Sequence, residues 1–99
     1  MADDYQLRVG RWVEAHGGTW PPLTNLARLA EEVGELARAL NAEVGPKAPK
    51  PGEQTADLAE EIGDVLFVLA VLAGQLGVDL EAAGEAALLK AERRDRQRF

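Results

Sequence analysis

Several residue types are scarce in this 99-residue sequence, and each absence excludes a class of protein. There is no cysteine, so disulfides, thiol chemistry and zinc–thiolate sites are excluded. Aromatic residues make up only 5% of the chain, which argues against a β-sandwich or barrel. The longest apolar run, residues 65–73, is far shorter than the roughly 20 residues of a membrane-spanning helix. The first ten residues lack the basic start and apolar core of a signal peptide.

Positive charge is also in the minority, since the formal net charge is −6. An acidic chain is poorly suited to binding nucleic-acid backbones or anionic membranes, so neither is expected as a partner. A nucleotide that binds through a divalent cation is not excluded by this charge. We expect a cytoplasmic protein.

The residues that are abundant favour helices. The chain is 46% hydrophobic and rich in Ala, Leu and Glu, which predicts an all-α fold in a single domain over residues 1–99. Punctuation by Gly, Pro and capping residues predicts four helices: residues 4–15, 24–44, 55–76 and from 80 to near the end. Thr55 and Asp79 are the expected N-caps of the last two, and Gly77 the expected end of the third. Residues 45–54 are a predicted loop.

The apolar pattern of the third predicted helix indicates self-association. Its main face is expected to comprise Leu58, Ile62, Val65, Leu69, Leu72 and Leu76, with Val68 and Val71 beside it and Phe67 on the far side. After Asp64 the helix is apolar almost all round, so it must be buried on more than one side. A chain this small has little material to cover it. We therefore expect a homo-oligomer, a dimer or tetramer, whose monomer would expose part of Phe67, Val68 and Val71.

Two pairs of carboxylates flank the apolar stripes of neighbouring predicted helices. Glu32 and Glu35 are three residues apart on the second helix, as are Glu61 and Asp64 on the third. This spacing places both members of a pair on one helix face. Carboxylates collected beside a buried seam repel one another and are costly to desolvate. A divalent cation relieves this repulsion, and ligands that are all oxygen suit Mg²⁺ or Mn²⁺.

Other interpretations of these acids exist. A single ExxE pair on a helix is usually a solvated face, and a non-catalytic helical interaction module would use such acids only for solubility. A di-iron bundle would need the Glu-x-x-His pattern, whereas the single histidine, His16, lies at a predicted helix end. Two matched pairs on consecutive helices favour a metal site over both alternatives.

The segments "EEVGELARALN" and "EEIGDVLFVLAVLA" resemble the EExxE…ExxD signature of MazG-like nucleotide pyrophosphohydrolases. The similarity runs from about Trp20 to the end and is strongest to the short, single-domain YpjD-type members. It implies an all-α fold that hydrolyses (deoxy)nucleoside triphosphates between the α and β phosphates with Mg²⁺, in nucleotide-pool house-cleaning. The phosphoribosyl-ATP pyrophosphohydrolases share the helices and acids, but the residues of both motifs match the MazG pattern better.

The resemblance also implies roles for particular residues. The metal-binding acids match Glu32, Glu35, Glu61 and Asp64, and Glu31 matches the leading acid of the motif, which supports the metal ligands or positions water. On chemical grounds a carboxylate, Glu35 or Glu31, would accept a proton from the attacking water. The implied substrate-binding residues are Trp20 near the base and Lys90 and Arg94 near the phosphates. Some relatives carry a base-contacting tyrosine where this chain has Val68, so the preferred base does not follow from the resemblance.

Overall fold

The computed structural model describes residues 2–44 and 57–98, with side chains over 5–44 and 57–95. The described parts hold four helices and no strand: α1 Ala2–Ala15, α2 Pro22–Val44, α3 Leu58–Gln75 and α4 Leu80–Arg98. The all-α prediction is therefore confirmed, although α1 and α2 each begin two residues earlier than expected. The predicted loop over residues 45–54 lies outside the described residues.

The N-cap of α3 was wrongly predicted, whereas that of α4 is confirmed. Asp57 caps α3, because its carboxylate accepts hydrogen bonds from the Ala59 and Glu60 amides at 3.0 and 3.3 Å. Thr55, the predicted cap, lies outside the described residues. Asp79 caps α4 by accepting from the Ala82 amide at 3.0 Å. Each cap satisfies backbone donors that a helix start leaves unpaired.

Two glycines in the left-handed conformation end α1 and α3. Gly17 has φ of 87° and Gly77 has φ of 68°, values that side-chain-bearing residues rarely adopt. The residue after each glycine donates its amide back into the last helical turn: Gly18 to the carbonyl of Val13, and Val78 to the carbonyl of Ala73, both at 2.9 Å. This is the Schellman arrangement, and the expected stop at Gly77 is confirmed.

The fold is organised around α3, which packs against α2 on one side and α1 on the other, while α4 contacts α1. Asn25 at the start of α2 bonds Gln75 at the end of α3, so these two helices are antiparallel. A core cluster of Val9, Ala70 and Val71 joins α1 to α3. Partly buried side chains pack against this cluster: Tyr5, Val13, Phe67 and Leu80.

The buried face of α3 differs from the expected one. The buried residues are Val68, Ala70, Val71 and Ala73, and Val68 is only 1% exposed. Ile62 and Leu76, predicted as core, are more than half exposed. Phe67 packs against α1, with its ring edge-on to Trp12 at 5.7 Å. The expectation that a monomer would expose Val68 and Val71 was therefore wrong: α1 and α2 approach α3 from two directions and bury the sector between them.

Two glutamines tie the helices together through their side-chain amides. Gln6 of α1 donates to the Val78 carbonyl at 2.8 Å and accepts from the Leu80 amide at 2.9 Å, which anchors the α3–α4 turn. Gln75 of α3 donates to the Trp20 carbonyl at 2.7 Å and accepts from Asn25 at 2.8 Å. The segment that enters α2 is thus fixed to the far end of α3.

None of the helices in the described ranges is, taken singly, long and apolar enough to cross a membrane. The α3–α4 pair reaches that apolar length only together, across a bend of 107°.

Candidate metal centre

Three of the predicted acids converge where α2 crosses the first turns of α3. One carboxylate oxygen each from Glu32, Glu61 and Asp64 lies within 4.8 Å of the other two. Glu32 and Glu61 are half-buried and Asp64 is exposed, so the cluster opens to solvent on one side. The antiparallel packing produces this meeting, because it places the middle of α2 level with the N-terminal half of α3.

The carboxylates of the cluster repel one another. Partial burial raises the pKa of Glu61 above its usual range, and the neighbouring carboxylates of Asp64, Glu35, Glu32 and Glu60 raise it further. Desolvation and like charge both favour the protonated acid. A group under this pressure gains stability from any cation that neutralises its neighbours.

The donor set fits a hard divalent cation. All three side chains offer carboxylate oxygens, which suit Mg²⁺ and Mn²⁺. Because the three oxygens lie within 4.8 Å of one another, they could share a single ion. The cluster opens to solvent, so water and phosphate oxygens could also reach that ion. Glu32, Glu61 and Asp64 would therefore hold the ion.

The two other predicted acids of α2 are placed differently. Glu35 forms an ion pair with Arg38 at 3.1 Å, and both side chains are largely exposed. Glu35 is still close enough to raise the pKa of Glu61, so it borders the cluster. Glu31 is exposed and is not one of the three clustered acids. Neither residue is assigned a role by this geometry, and their roles in metal binding and proton transfer stay predictions.

Trp20 lies on the segment that enters α2, with its ring about half exposed. The guanidinium carbon of Arg28 stands 5.2 Å from the centre of this ring. Among the side chains that the structure describes, no ion pair joins Arg28 to Glu31 or Glu32, although its helical spacing would allow one. Arg28 is not among the predicted site residues, although it lies one helical turn before Glu32.

Lys90 and Arg94 are not brought to the acids within one chain. Both are exposed on α4, which begins at the C-terminal end of α3 and bends away by 107°. Glu61 is fourteen residues before Gln75, about 21 Å along the helix axis. Their contact with phosphate stays a prediction.

Glu61→Gln is expected to stabilise the metal-free protein at neutral pH. The pKa of Glu61 is higher in the folded chain than in the unfolded chain, so between these two pKa values the folded chain binds more protons. The free energy of unfolding therefore falls as pH rises through this range. Glutamine does not titrate, so the variant does not lose stability in this way. Thermal unfolding of both proteins from about pH 4 to about pH 8 measures the difference.

The same variant should respond less to metal. Mg²⁺ at 100 times its dissociation constant is expected to stabilise the wild type by about 2.7 kcal/mol, and the variant by much less. Glu43→Gln, an exposed change near the end of α2, is the control and should behave as wild type. Equal Mg²⁺ stabilisation of the wild type and Glu61→Gln would contradict the metal site.

An antiparallel helix pair that gathers carboxylates on its seam defines the class: an all-α domain with a carboxylate-type cation site. The model of the MazG nucleotide pyrophosphohydrolase domain matches residues 21–99. The chain belongs to this family and is a hydrolase acting on nucleoside triphosphates.

Individual relatives agree with this assignment. YpjD of Bacillus subtilis (strain 168) is 43% identical over 97 residues, covering 97% of this chain and 87% of YpjD. The crystal structure of YPJD from Bacillus subtilis superposes with a TM-score of 0.81, over 91% of this chain and 93% of that one. A Bacillus-conserved MazG protein, a nucleotide pyrophosphohydrolase, is 37% identical with a TM-score of 0.75, over 91% and 87% of the two chains.

A mammalian relative matches this chain over less than half of its own length. Rat dCTP pyrophosphatase 1 is 42% identical over 76 residues, which cover 73% of this chain but 42% of the rat protein.

Proposed function

We propose that this protein hydrolyses nucleoside triphosphates to the monophosphate and pyrophosphate with Mg²⁺, or Mn²⁺, as cofactor, and that it serves in nucleotide-pool house-cleaning. The observation that carries the proposal is the cluster of Glu32, Glu61 and Asp64 on two antiparallel helices of a MazG-family domain. A cytoplasmic location, and the absence of nucleic-acid and membrane partners, stay predictions.

The proposed reaction is phosphoryl transfer to water. The water oxygen attacks the α-phosphorus, the bond to the α–β bridging oxygen breaks, and pyrophosphate leaves with the electron pair. A divalent cation, when bound, supplies positive charge to the phosphate oxygens and lowers the pKa of coordinated water. Glu32, Glu61 and Asp64 hold that charge in place.

The proton from the attacking water needs an acceptor near the cluster. Glu35 is suited to this because it borders Glu61 yet is not one of the three clustered acids, and its ion pair with Arg38 orients it. Glu31 is the second candidate, one turn before Glu35 and exposed to solvent. The pH–rate profiles of Glu35→Gln and Glu31→Gln show which residue accepts the proton. The variant that lacks the proton acceptor should no longer lose activity as pH falls.

Val68 does not select the nucleobase of the substrate. Some relatives carry a base-contacting tyrosine at this position, but here the valine is buried between helices. Because a mammalian relative is a dCTP pyrophosphatase, dCTP belongs in the first set of substrates tested.

A panel of triphosphates with Mg²⁺ is expected to yield monophosphate and pyrophosphate as the primary products. The panel should include canonical deoxynucleotides, modified deoxynucleotides and phosphoribosyl-ATP, with products resolved by ion-exchange chromatography. Omitting the metal is the control and should remove activity. Diphosphate with orthophosphate as the first products would reject the α–β cleavage.

We further propose that the working form is a homo-oligomer. Many large apolar side chains of the described residues lie exposed, and six of them form what we call the outer apolar face: Leu26, Val33 and Leu40 of α2 with Ile62, Leu66 and Leu76 of α3.

The outer apolar face is a single surface. On each helix, these residues lie about 100° around the helix axis from the side that contacts the other helix. Because α2 and α3 are antiparallel, the two stripes turn to the same side of the pair, opposite α1. An apolar groove of about 410 Å³ between α3 and α4 extends it. A twofold copy would bury both faces as a four-helix bundle.

Such an assembly offers a route for the basic tail to reach the acids. Ile62 of the outer apolar face directly follows Glu61, so a second copy docked there lies beside the acid cluster. We propose that Lys90 and Arg94 contact the phosphates from a neighbouring copy, since α4 leads them away within their own chain.

The competing function, a non-catalytic interaction module, explains the outer apolar face as well. It gives no reason for three acids to face one another on a seam, where they raise the pKa of Glu61. Metal-dependent stabilisation separates the two functions, because a module whose acids only aid solubility gains nothing from Mg²⁺.

A further inference from the structure

Arg28 occupies a position between the tryptophan that precedes α2 and the acid cluster. Its guanidinium carbon is 5.2 Å from the centre of the Trp20 ring, within the range of a cation–π contact. Its backbone lies one turn, about 6 Å, before Glu32. The side chain is partly buried, so its position is constrained by its surroundings.

Trp20 is itself held firmly. Its carbonyl accepts hydrogen bonds from Asn25 at 3.1 Å and from Gln75 at 2.7 Å, and Asn25 is completely buried. The two amides also bond to each other at 2.8 Å. The backbone under the ring is therefore fixed to both α2 and α3.

The charge of Arg28 is not neutralised by a carboxylate in the described parts of the chain, where Arg38 with Glu35 is the single ion pair. A guanidinium in a cation–π contact uses none of its N–H groups on a carboxylate, and this fork of donors matches the oxygens of a phosphate.

We propose that Arg28 is a phosphate-binding residue of the nucleotide site and that Trp20 positions it. The inference rests on the proposed function, because it assigns the polyphosphate of that substrate to the edge of α2 beside Glu32. Trp20 then acts through Arg28, which differs from the base contact that the family resemblance implies. Arg28 supplies, within one chain, a cation that Lys90 and Arg94 cannot supply there.

Binding measurements test this without catalysis. Titration calorimetry with Mg²⁺ would compare inorganic tripolyphosphate, a triphosphate whose α–β bridge is a methylene, and the free nucleoside. Arg28→Gln is expected to weaken binding of both polyphosphates by about 10- to 100-fold, because a charge-assisted hydrogen bond is lost. Arg28→Lys should recover only part of this loss. Arg11→Gln, an exposed change on α1, should bind as wild type.

A double-mutant cycle tests the positioning role. Trp20→Leu should weaken tripolyphosphate binding in the wild type but add little to Arg28→Gln, since its effect passes through the guanidinium. Additive losses, or a loss confined to nucleoside binding, would overturn the inference, as would unchanged tripolyphosphate affinity in Arg28→Gln.

Failure of this inference is distinguishable from failure of the proposed function. A wild type that releases pyrophosphate while Arg28→Gln binds tripolyphosphate normally rejects Arg28 alone. A wild type that releases no pyrophosphate from any triphosphate rejects the function. Circular dichroism of each variant verifies the fold, and Arg28→Lys, which keeps the charge and aliphatic stem, decides the question should Arg28→Gln unfold.

Discussion

Asp64→Asn is expected to lower pyrophosphohydrolase activity by more than about 100-fold while leaving the helices intact. Asp64 is the most exposed of the three clustered acids and has no packing role, so the amide should fold normally. Loss of a residue that merely supports a metal ligand costs about 10- to 100-fold, so loss of a ligand costs more. Steady-state kinetics over a range of Mg²⁺ concentrations would measure the change, and excess Mg²⁺ should restore little.

The matched control is Glu60→Gln. Glu60 is exposed on the same helix, one turn before Asp64, and is not one of the three clustered acids. It should retain activity close to wild type. Full activity in Asp64→Asn, with thermal unfolding still sensitive to Mg²⁺, would show that the cluster is not the catalytic centre.

The second large effect is expected from Leu66→Glu. Leu66 is 41% exposed on the outer apolar face, so a glutamate there is tolerated by the single chain. In a twofold assembly the same change buries an unpaired carboxylate, which costs several kcal/mol and weakens association by more than about 100-fold. Sedimentation velocity should show a monomer, and activity should fall because the neighbouring α4 no longer reaches the site.

Leu7→Glu provides the comparison. Leu7 is 56% exposed on α1, away from the outer apolar face, and its replacement should change neither assembly nor activity. Phe67→Glu, which the sequence pattern suggests as an interface variant, is unsuitable because Phe67 packs against Trp12 and the α1–α3 core. A Leu66→Glu protein that remains oligomeric and active would place the interface elsewhere.

The predicted elements that proved correct depend on local chemistry. The four helices, the glycine stops and the Asp79 cap follow from propensity and backbone conformation over a few neighbouring residues. Thr and Asp are both good N-cap residues, so the sequence alone does not decide between Thr55 and Asp57, two residues apart. In the structure Asp57 is the cap. Arg28 shows the same limit, since its helical spacing allowed contact with Glu31 or Glu32, whereas the structure places it against Trp20.

The sequence by itself determined the all-α class, the paired acids and their chemical preference for a divalent cation, because residue type and a period of 3.6 are properties of the chain. Only the tertiary structure decided which acids meet and which apolar face stays open. Helical phase says which residues share a side of one helix, but not the directions from which other helices approach. Here α1 and α2 cover Val68 and Val71, the antiparallel crossing gathers Glu32 with Glu61 and Asp64, and Leu66 remains outside.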